Sequence, residues 1–283
     1  MISNILVLTD FSYDAYNALF YATQLYKHQK CTFHILHAYD LNSDFKEEFK
    51  SSGKTDLMHF IDNRVTECLQ ETQYKIIRDT EKNALHNFIT VSKNNSLENA
   101  VNYYISQNNI DLIAIGTKGK TGALDIFFGS NTIKMVKNKI GCPLLCIPKQ
   151  IDYRPISQIG YITSLNHSPN QKTLKTVKSL ASFYEAVLHL VHVSEDSPIN
   201  TNQKNNKVLL EKDFKNTCLK YHNIPREKSI AKTVAKFAEK IGISILVISY
   251  YPHYFLDKLF REPVALDLSF YTETPLLILP IQE

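Results

Sequence analysis

The stretch from Asp111 to Asn131 reads DLIAIGTKGKTGALDIFFGSN, and it joins a short apolar run to a cluster of glycines. Of the eight glycines in the chain, four stand here: Gly116, Gly119, Gly122 and Gly129. Glycine weakens regular helices and strands, so such a cluster indicates backbone that bends sharply or that lets another group come close. The apolar run therefore predicts a buried strand that ends at a binding loop.

Short apolar runs alternate with helical patterns throughout the first half of the chain. The runs are NILVL (4–8), FHILHAY (33–39), DLIAIG (111–116), PLLCIP (143–148) and, more weakly, HNFITV (86–91). Between the first two runs, apolar residues follow helical spacing over residues 13–27, and Ser12 is placed to cap that helix. Strands that alternate with helices in this way predict an α/β fold, a parallel sheet with helices on both faces.

The same pattern restarts after residue 150. The second set of runs is QIGYIT (158–163), LHLVHV (188–193), SILVIS (244–249) and TPLLILP (274–280). His189 follows His34 by 155 residues, whereas Pro275 follows Pro143 by 132, so the second copy is shorter by 23 residues. The repeat predicts two tandem domains, residues 1–150 and 151–283.

The composition excludes several classes of protein. The chain is 44% hydrophobic and 21% charged with a net charge of +4, which is typical of a globular protein and too weakly basic to predict nucleic-acid binding. Its apolar runs are far shorter than a membrane span requires, and the sequence begins without a basic leader. Five cysteines without metal-binding spacing predict reduced core thiols. We therefore expect a cytoplasmic protein that binds neither membranes nor nucleic acids.

Two strand ends and one helix start predict a phosphate site. Asp10 follows the first strand and Gly116 ends a later one, and ligands of parallel sheets bind at the carboxyl ends of strands where the strand order reverses. Gly129, Ser130, Asn131 and Thr132 then lead into a helical pattern. The first amides of a helix have no intrahelical partner and attract anions, while a glycine leaves room for them. Glycines that serve only the geometry of turns are the alternative.

These residues resemble a known signature. Gly116, two residues, Gly119, nine residues and then Gly129-Ser130 resemble the nucleotide-binding motif of the universal stress protein family, and LTDFS (8–12) resembles the end of the first strand in its ATP-binding branch. The resemblance implies two adenine nucleotide alpha-hydrolase-like domains, each with a five-stranded parallel sheet in the order 3-2-1-4-5. It also implies ATP bound with Mg²⁺ or Mn²⁺. Domains of this family commonly pair through their last strands, so we expect the two halves to form a pseudo-dimer within the chain, with a homodimer as a further option.

The resemblance also implies a role for each matching residue. Thr9 and Asp10 would meet the adenosine end, and Ala38 would line the adenine slot through its backbone. The ribose and phosphates would be held by Gly116, Lys118 and Gly119, and the phosphate tail by Gly129, Ser130, Asn131 and Thr132.

The second half lacks this chemistry. Aligning LDIFFGSN with LDKLFREP places Arg261, Glu262 and Pro263 at the positions of Gly129, Ser130 and Asn131. Proline removes an amide donor, glutamate repels phosphate and arginine fills the space beside the backbone. Ser164 stands in the place of Asp10. We therefore predict that only the first domain binds ATP.

Two histidine pairs, His34 with His37 and His189 with His192, suggest a metal site, but residues three apart on a strand point to opposite faces and cannot bind one ion. Three classes of function remain. The chain is an ATP-dependent regulator or sensor in the stress response, a slow Mg²⁺-dependent ATPase, or a scaffold that binds no nucleotide. The sequence identifies phosphate ligands but no catalytic base, which favours the regulator.

Overall fold

A computed structural model describes residues 2–40, 54–117, 135, 141–149, 151–168, 171–194, 198–227, 229–249 and 274–280. The chain divides into two compact units, residues 2–116 and residues 117–283 together with Met1. The boundary predicted at residue 150 is based on the sequence repeat, whereas this division is based on compactness. The predicted boundary therefore stays a prediction.

The first unit is a parallel sheet with connecting helices. Its elements are β1 (Asn4–Leu8), α1 (Tyr13–Leu25), β2 (Cys31–Tyr39), α2 (Lys54–Asp79), β3 (His86–Asn94), α3 (Leu97–Gln107) and β4 (Leu112–Gly116). The strands lie in the order β3-β2-β1-β4, and each neighbouring pair is parallel. Strand β1 is central, and its residues Ile5, Leu6 and Val7 are completely buried, as expected for a strand covered on both faces.

The second unit repeats this arrangement. Its elements are β5 (Leu144–Ile147), β6 (Gln158–Ile162), α4 (Gln171–Phe183), β7 (Val187–Ser194), α5 (Thr201–Asp213), β8 (Cys218–Pro225), α6 (Ile230–Ile241), β9 (Ile245–Ser249) and β10 (Leu276–Leu279). The strand order is β5-β10-β9-β6-β7-β8, in which only the β5–β10 pair is antiparallel. Strands β6 to β10 therefore follow the predicted order 3-2-1-4-5, and the α/β fold is confirmed. In the first half, strands one to four follow that order.

The last strands of the two sequence halves pair with each other. Strand β5 comes from the first half and β10 from the second, and Leu145 lies opposite Leu277 in an antiparallel ladder. Because Leu145 and Leu277 are each 1% exposed, this pairing belongs to the interior of the second unit.

The repeat extends to individual hydrogen bonds. In the first unit the Asp111 carboxylate accepts from the backbone amides of Ser3 and Asn4, at 2.8 and 3.0 Å. In the second unit the Ser244 hydroxyl oxygen accepts from the amide of Ser157 at 3.1 Å in the equivalent place. A carboxylate and a hydroxyl thus make the same connection between the first and fourth strands of a half, which supports the internal duplication.

His34 and His189 are buried at equivalent positions of β2 and β7. His34 Nδ1 lies 2.8 Å from the Tyr104 hydroxyl on α3. In the second unit Phe237 stands at the place of Tyr104 and has no hydroxyl, and His189 Nδ1 instead lies 2.9 Å from His222 Nε2 on β8. His189 Nε2 lies 2.6 Å from the Gln158 side-chain oxygen. Both rings are therefore partnered core residues.

The other histidine of each pair makes separate contacts. His37 and His192 point away from these clusters, toward the ends of strands β1 and β6. Within the described ranges, no group of three or more His, Cys, Asp or Glu side chains is arranged to hold a metal ion.

We predict that His189 makes the free energy of unfolding depend on pH. Burial, with smaller contributions from His222 and Lys220, lowers the pKa of His189 to about 4, whereas the pKa of an unfolded histidine is about 6.5. The unfolded chain therefore takes up a proton that the folded chain refuses, and stability falls as the pH drops from about 6.5 to about 4.

The test is urea unfolding of the wild type and H189Q across this pH range. Near pH 5 the wild type should take up about one more proton on unfolding than the variant. Equal pH dependence of the two proteins would show that His189 does not titrate as its surroundings imply.

Candidate functional site

The turn after β1 is built by three polar side chains of that turn. The Phe11 amide donates to Thr9 Oγ1 at 3.0 Å, and the Ser12 amide donates to Asp10 Oδ1 at 3.1 Å. Phe11 is held at a φ of 62°, which is uncommon for a residue other than glycine. Ser12 Oγ then accepts from the Ala15 amide at 3.3 Å and caps α1. Short side chains that bond to the nearby backbone therefore fix where the strand ends and the helix begins.

The second unit builds the same turn with different residues. Leu165 has a φ of 61°, and its amide donates to Thr163 Oγ1 at 3.0 Å. The Asn166 amide donates to Ser164 Oγ at 3.3 Å, where the first unit uses Asp10. The turn itself is thus common to both halves. What distinguishes the first half is the exposed carboxylate of Asp10.

Gly116 ends β4 directly against the first turn of α1. A Cβ atom at Gly116 would lie 2.7 Å from the Asp14 carbonyl carbon and 3.1 Å from the Ala15 amide nitrogen. Both neighbours are backbone atoms, which cannot rotate out of the way. The first of the clustered glycines is therefore required by the close approach of the protein's own helix.

The four described candidate residues gather at one edge of the first sheet. Strand β1 lies between β2 and β4, so Asp10, Ala38 and Gly116 stand at the carboxyl ends of three adjacent strands. The Thr9 amide donates to the Leu36 carbonyl at 2.9 Å and keeps the ends of β1 and β2 together. This arrangement confirms that the first and fourth strands are neighbours at the point where the strand order reverses. The remaining candidates lie outside the described residues: Lys118, Gly119, Gly129, Ser130, Asn131 and Thr132.

In the second unit, side chains of helix α5 hold the equivalent turn by hydrogen bonds. Three successive carbonyls in residues 164–166 each accept a hydrogen bond from an amide side chain near the start of α5. The bonds run from Gln203 to Ser164 (3.0 Å), from Asn206 to Leu165 (2.8 Å) and from Asn202 to Asn166 (3.2 Å). The turn is thereby fixed to the helix that follows β7.

Two features of these turns are not predicted from the sequence. One is the amide group on α5, whose residues read as an ordinary polar helix face. The other is the pair His37 and His192, whose Nδ1 atoms lie 2.8 and 3.1 Å from the carbonyls of Thr9 and Thr163. The matching positions of these histidines in the two repeats were the available signal for the second feature.

Comparison with known proteins identifies the family. The model of the universal stress protein family matches residues 1–148, more than half of the chain. The chain belongs to the universal stress protein family. A search of curated proteins returns no match.

Solved structures are similar in fold to this chain. A universal stress protein from Archaeoglobus fulgidus is 14% identical with a TM-score of 0.66, and the match covers 98% of each chain. A Pseudomonas aeruginosa protein of unknown function is 13% identical with a TM-score of 0.59, covering 99% of this chain and 93% of that one. At these identities the likeness concerns the fold alone. In addition, no described helix is both long and apolar enough to span a membrane.

We predict that G116A lowers the free energy of unfolding by about 2 kcal/mol, because the new Cβ would overlap immobile backbone of α1. G141A is the matched control, since a Cβ at Gly141 meets nothing within 4 Å and the change should cost less than about 0.5 kcal/mol. Chemical denaturation measures both. Equal stability of the two variants would contradict the close approach.

We also predict that N206L lowers the free energy of unfolding by about 2 kcal/mol. Asn206 is 2% exposed, donates to the Leu165 carbonyl and accepts from Ser168 Oγ at 3.2 Å, so leucine would leave buried polar groups without partners. N202L removes the exposed member of the same group, one helix turn earlier on the same face, and should cost less than about 0.5 kcal/mol. A loss as small in N206L as in N202L would show that the buried Asn206 contact does not hold the turn.

Proposed function

We propose that the first half of the chain binds ATP together with Mg²⁺ or Mn²⁺, and that the bound nucleotide makes the protein a regulator or sensor in the stress response. The observation that carries this proposal is the meeting of Asp10, Ala38 and Gly116 at one sheet edge, with the glycine signature following directly after the last of them. Ligands of parallel sheets bind at such an edge.

The chemistry of the described residues fits the nucleoside end of ATP. The Asp10 carboxylate is exposed, and it accepts hydrogen bonds of the kind that ribose hydroxyls donate. Ala38 is the last residue but one of β2, lies beside the turn and offers backbone groups, which recognise a base edge by hydrogen bonds. Gly116 adds no side chain at the end of β4.

The phosphate end of the proposal rests on the sequence. Gly129, Ser130, Asn131 and Thr132 are the residues we assign to the phosphate tail, with Lys118 and Gly119 nearer the ribose. Backbone amides at a helix start would supply the hydrogen bonds, and the hydroxyls of Ser130 and Thr132 would add further donors. The divalent ion would offset the negative charge of the phosphates.

A regulator fits the chain better than an efficient ATPase. Hydrolysis requires a base or a group that positions water at the γ-phosphate, and neither the sequence nor the described residues supply a candidate. The second half fits a structural role better than a second nucleotide site. Its turn carries Ser164 in place of Asp10, and side chains of α5 donate hydrogen bonds to that turn. We therefore propose one ATP per chain, with the β5–β10 ladder joining the two sequence halves as a pseudo-dimer.

The proposal includes a cytoplasmic location. All five cysteines are free, and Cys218 is exposed rather than part of the core as the sequence suggested. Free, exposed thiols are typical of proteins in a reducing compartment.

The test is equilibrium dialysis of the full chain with ATP and Mg²⁺. We predict saturable binding of one ATP, abolished by G129E because a carboxylate would repel the phosphates and fill the space that glycine leaves. R261E places the same residue at the aligned position of the second half and should leave binding unchanged. Circular dichroism should show that both variants remain folded.

Three outcomes separate the candidate functions. No binding at millimolar ATP would reject the proposal in favour of a scaffold. Phosphate release by the wild type well above that of G129E would instead indicate an ATPase. Unchanged affinity in G129E would show that the phosphates are bound elsewhere.

A further inference from the structure

The His37 side chain ends the ladder between β1 and β2. Registered pairs stop at Leu8 and Leu36, although the Thr9 amide still donates to the Leu36 carbonyl at 2.9 Å. One further pair would require the Ala38 amide to donate to the Thr9 carbonyl. That carbonyl instead accepts from His37 Nδ1, 2.8 Å away. A carbonyl oxygen can accept two hydrogen bonds, but the Ala38 amide makes none to Thr9, and the imidazole stands at the oxygen that a longer ladder would offer to Ala38.

Because the His37 side chain stands in for a backbone donor at the Thr9 carbonyl, the backbone of Ala38 is left at the edge of the sheet. In a parallel strand, the amide and the carbonyl of one residue point to the same neighbouring strand, and alternate residues point to the same side. Because the backbone of Leu36 faces β1, that of Ala38 faces the same side, at the level where β1 has already turned away at Asp10. The Ala38 backbone therefore lies beside the proposed nucleoside site.

The contact also determines which ring nitrogen of His37 carries a proton. A carbonyl oxygen only accepts hydrogen bonds, so His37 Nδ1 carries the proton in this contact. The Phe11 ring lies against the imidazole, with 4.4 Å between the ring centroids. The left-handed residue of the turn and the histidine of the neighbouring strand thus hold each other in place.

The second unit contains the same contact between a histidine side chain and a threonine carbonyl. The Thr163 amide donates to the Val191 carbonyl at 2.9 Å, the registered pairs end at Ile162 and Val191, and His192 Nδ1 lies 3.1 Å from the Thr163 carbonyl. His192 therefore provides a matched position in which the contact is made without the exposed aspartate.

We propose that His37 is a positioning residue for the nucleoside end of the ligand: by occupying the Thr9 carbonyl, it keeps the Ala38 amide available as a hydrogen-bond donor to the base. This inference rests on the proposed function, since its ligand is the adenosine part of ATP. His37 acts through Ala38 and has no contact of its own with the nucleotide.

The first test compares the ATP affinity of four full-length proteins by calorimetry. H37F keeps an aromatic ring against Phe11 but removes the donor, and we expect its affinity to fall about tenfold, the effect of losing one hydrogen bond. H37N keeps a donor at the same distance along the side chain and should recover most of that loss. H192F should lose as much stability as H37F but bind ATP like the wild type.

The second test needs no nucleotide. Amide hydrogen exchange of Ala38, measured by NMR, should be fast in the wild type and slower in H37F, because the released Thr9 carbonyl becomes free to accept the Ala38 amide. Wild-type affinity in H37F, equal losses of affinity in H37F and H192F, or unchanged exchange at Ala38 would each overturn the inference. A wild type that binds no ATP but shows the altered exchange would reject the proposed function alone and would keep the assigned role of His37 toward the Ala38 backbone.

Discussion

The missing side chain of Gly116 is the constraint on which the candidate site depends. It lets the first turn of α1 lie against the end of β4, where any Cβ would overlap the backbone of Asp14. That contact fixes the start of the helix relative to the sheet, and with it the turn from Thr9 to Ser12. Asp10 and Ala38 lie at the same edge because β1 and β2 are parallel neighbours. The glycine matters first as a packing requirement, and the proposed ligand site lies beside the contact that it permits.

The two halves show which parts of this edge belong to the scaffold and which belong to function. Both keep a left-handed residue in the turn, a threonine that bonds to it and a histidine on the next strand. The exposed aspartate is found only in the first half, and the amide side chains that hold the turn from α5 are a feature of the second. A duplicated fold can therefore keep its supporting hydrogen bonds while one copy loses the chemistry. The replacement of the His34–Tyr104 contact by His189–His222 is another example, since the loss of one hydroxyl is balanced by a new partner on a different strand.

Much of the fold follows from the sequence because its signals are local. Short buried runs such as NILVL, the cap at Ser12 and the repeat of His34 at His189 predict strands, a helix start and a duplication without knowledge of the structure. The reason for Gly116 does not follow, because the helix that approaches it lies about a hundred residues earlier in the chain. The amide bonds from Asn206 and its neighbours are hidden for the same reason, since they join a helix to a turn that the sequence separates by some forty residues. The ligand roles assigned to Gly129 through Thr132 remain predictions, because they lie outside the described residues.

The central claim is that one ATP binds at the sheet edge beside Asp10 and that the second half binds none. A crystal structure of the full chain grown with ATP and Mg²⁺ tests this most directly. The account predicts nucleotide density beside the turn at Asp10 and the end of β4 at Gly116, with the bonds from Gln203 and Asn206 to the second turn intact. Density for a nucleotide beside Ser164, with the first site closed by the protein's own side chains, would contradict it.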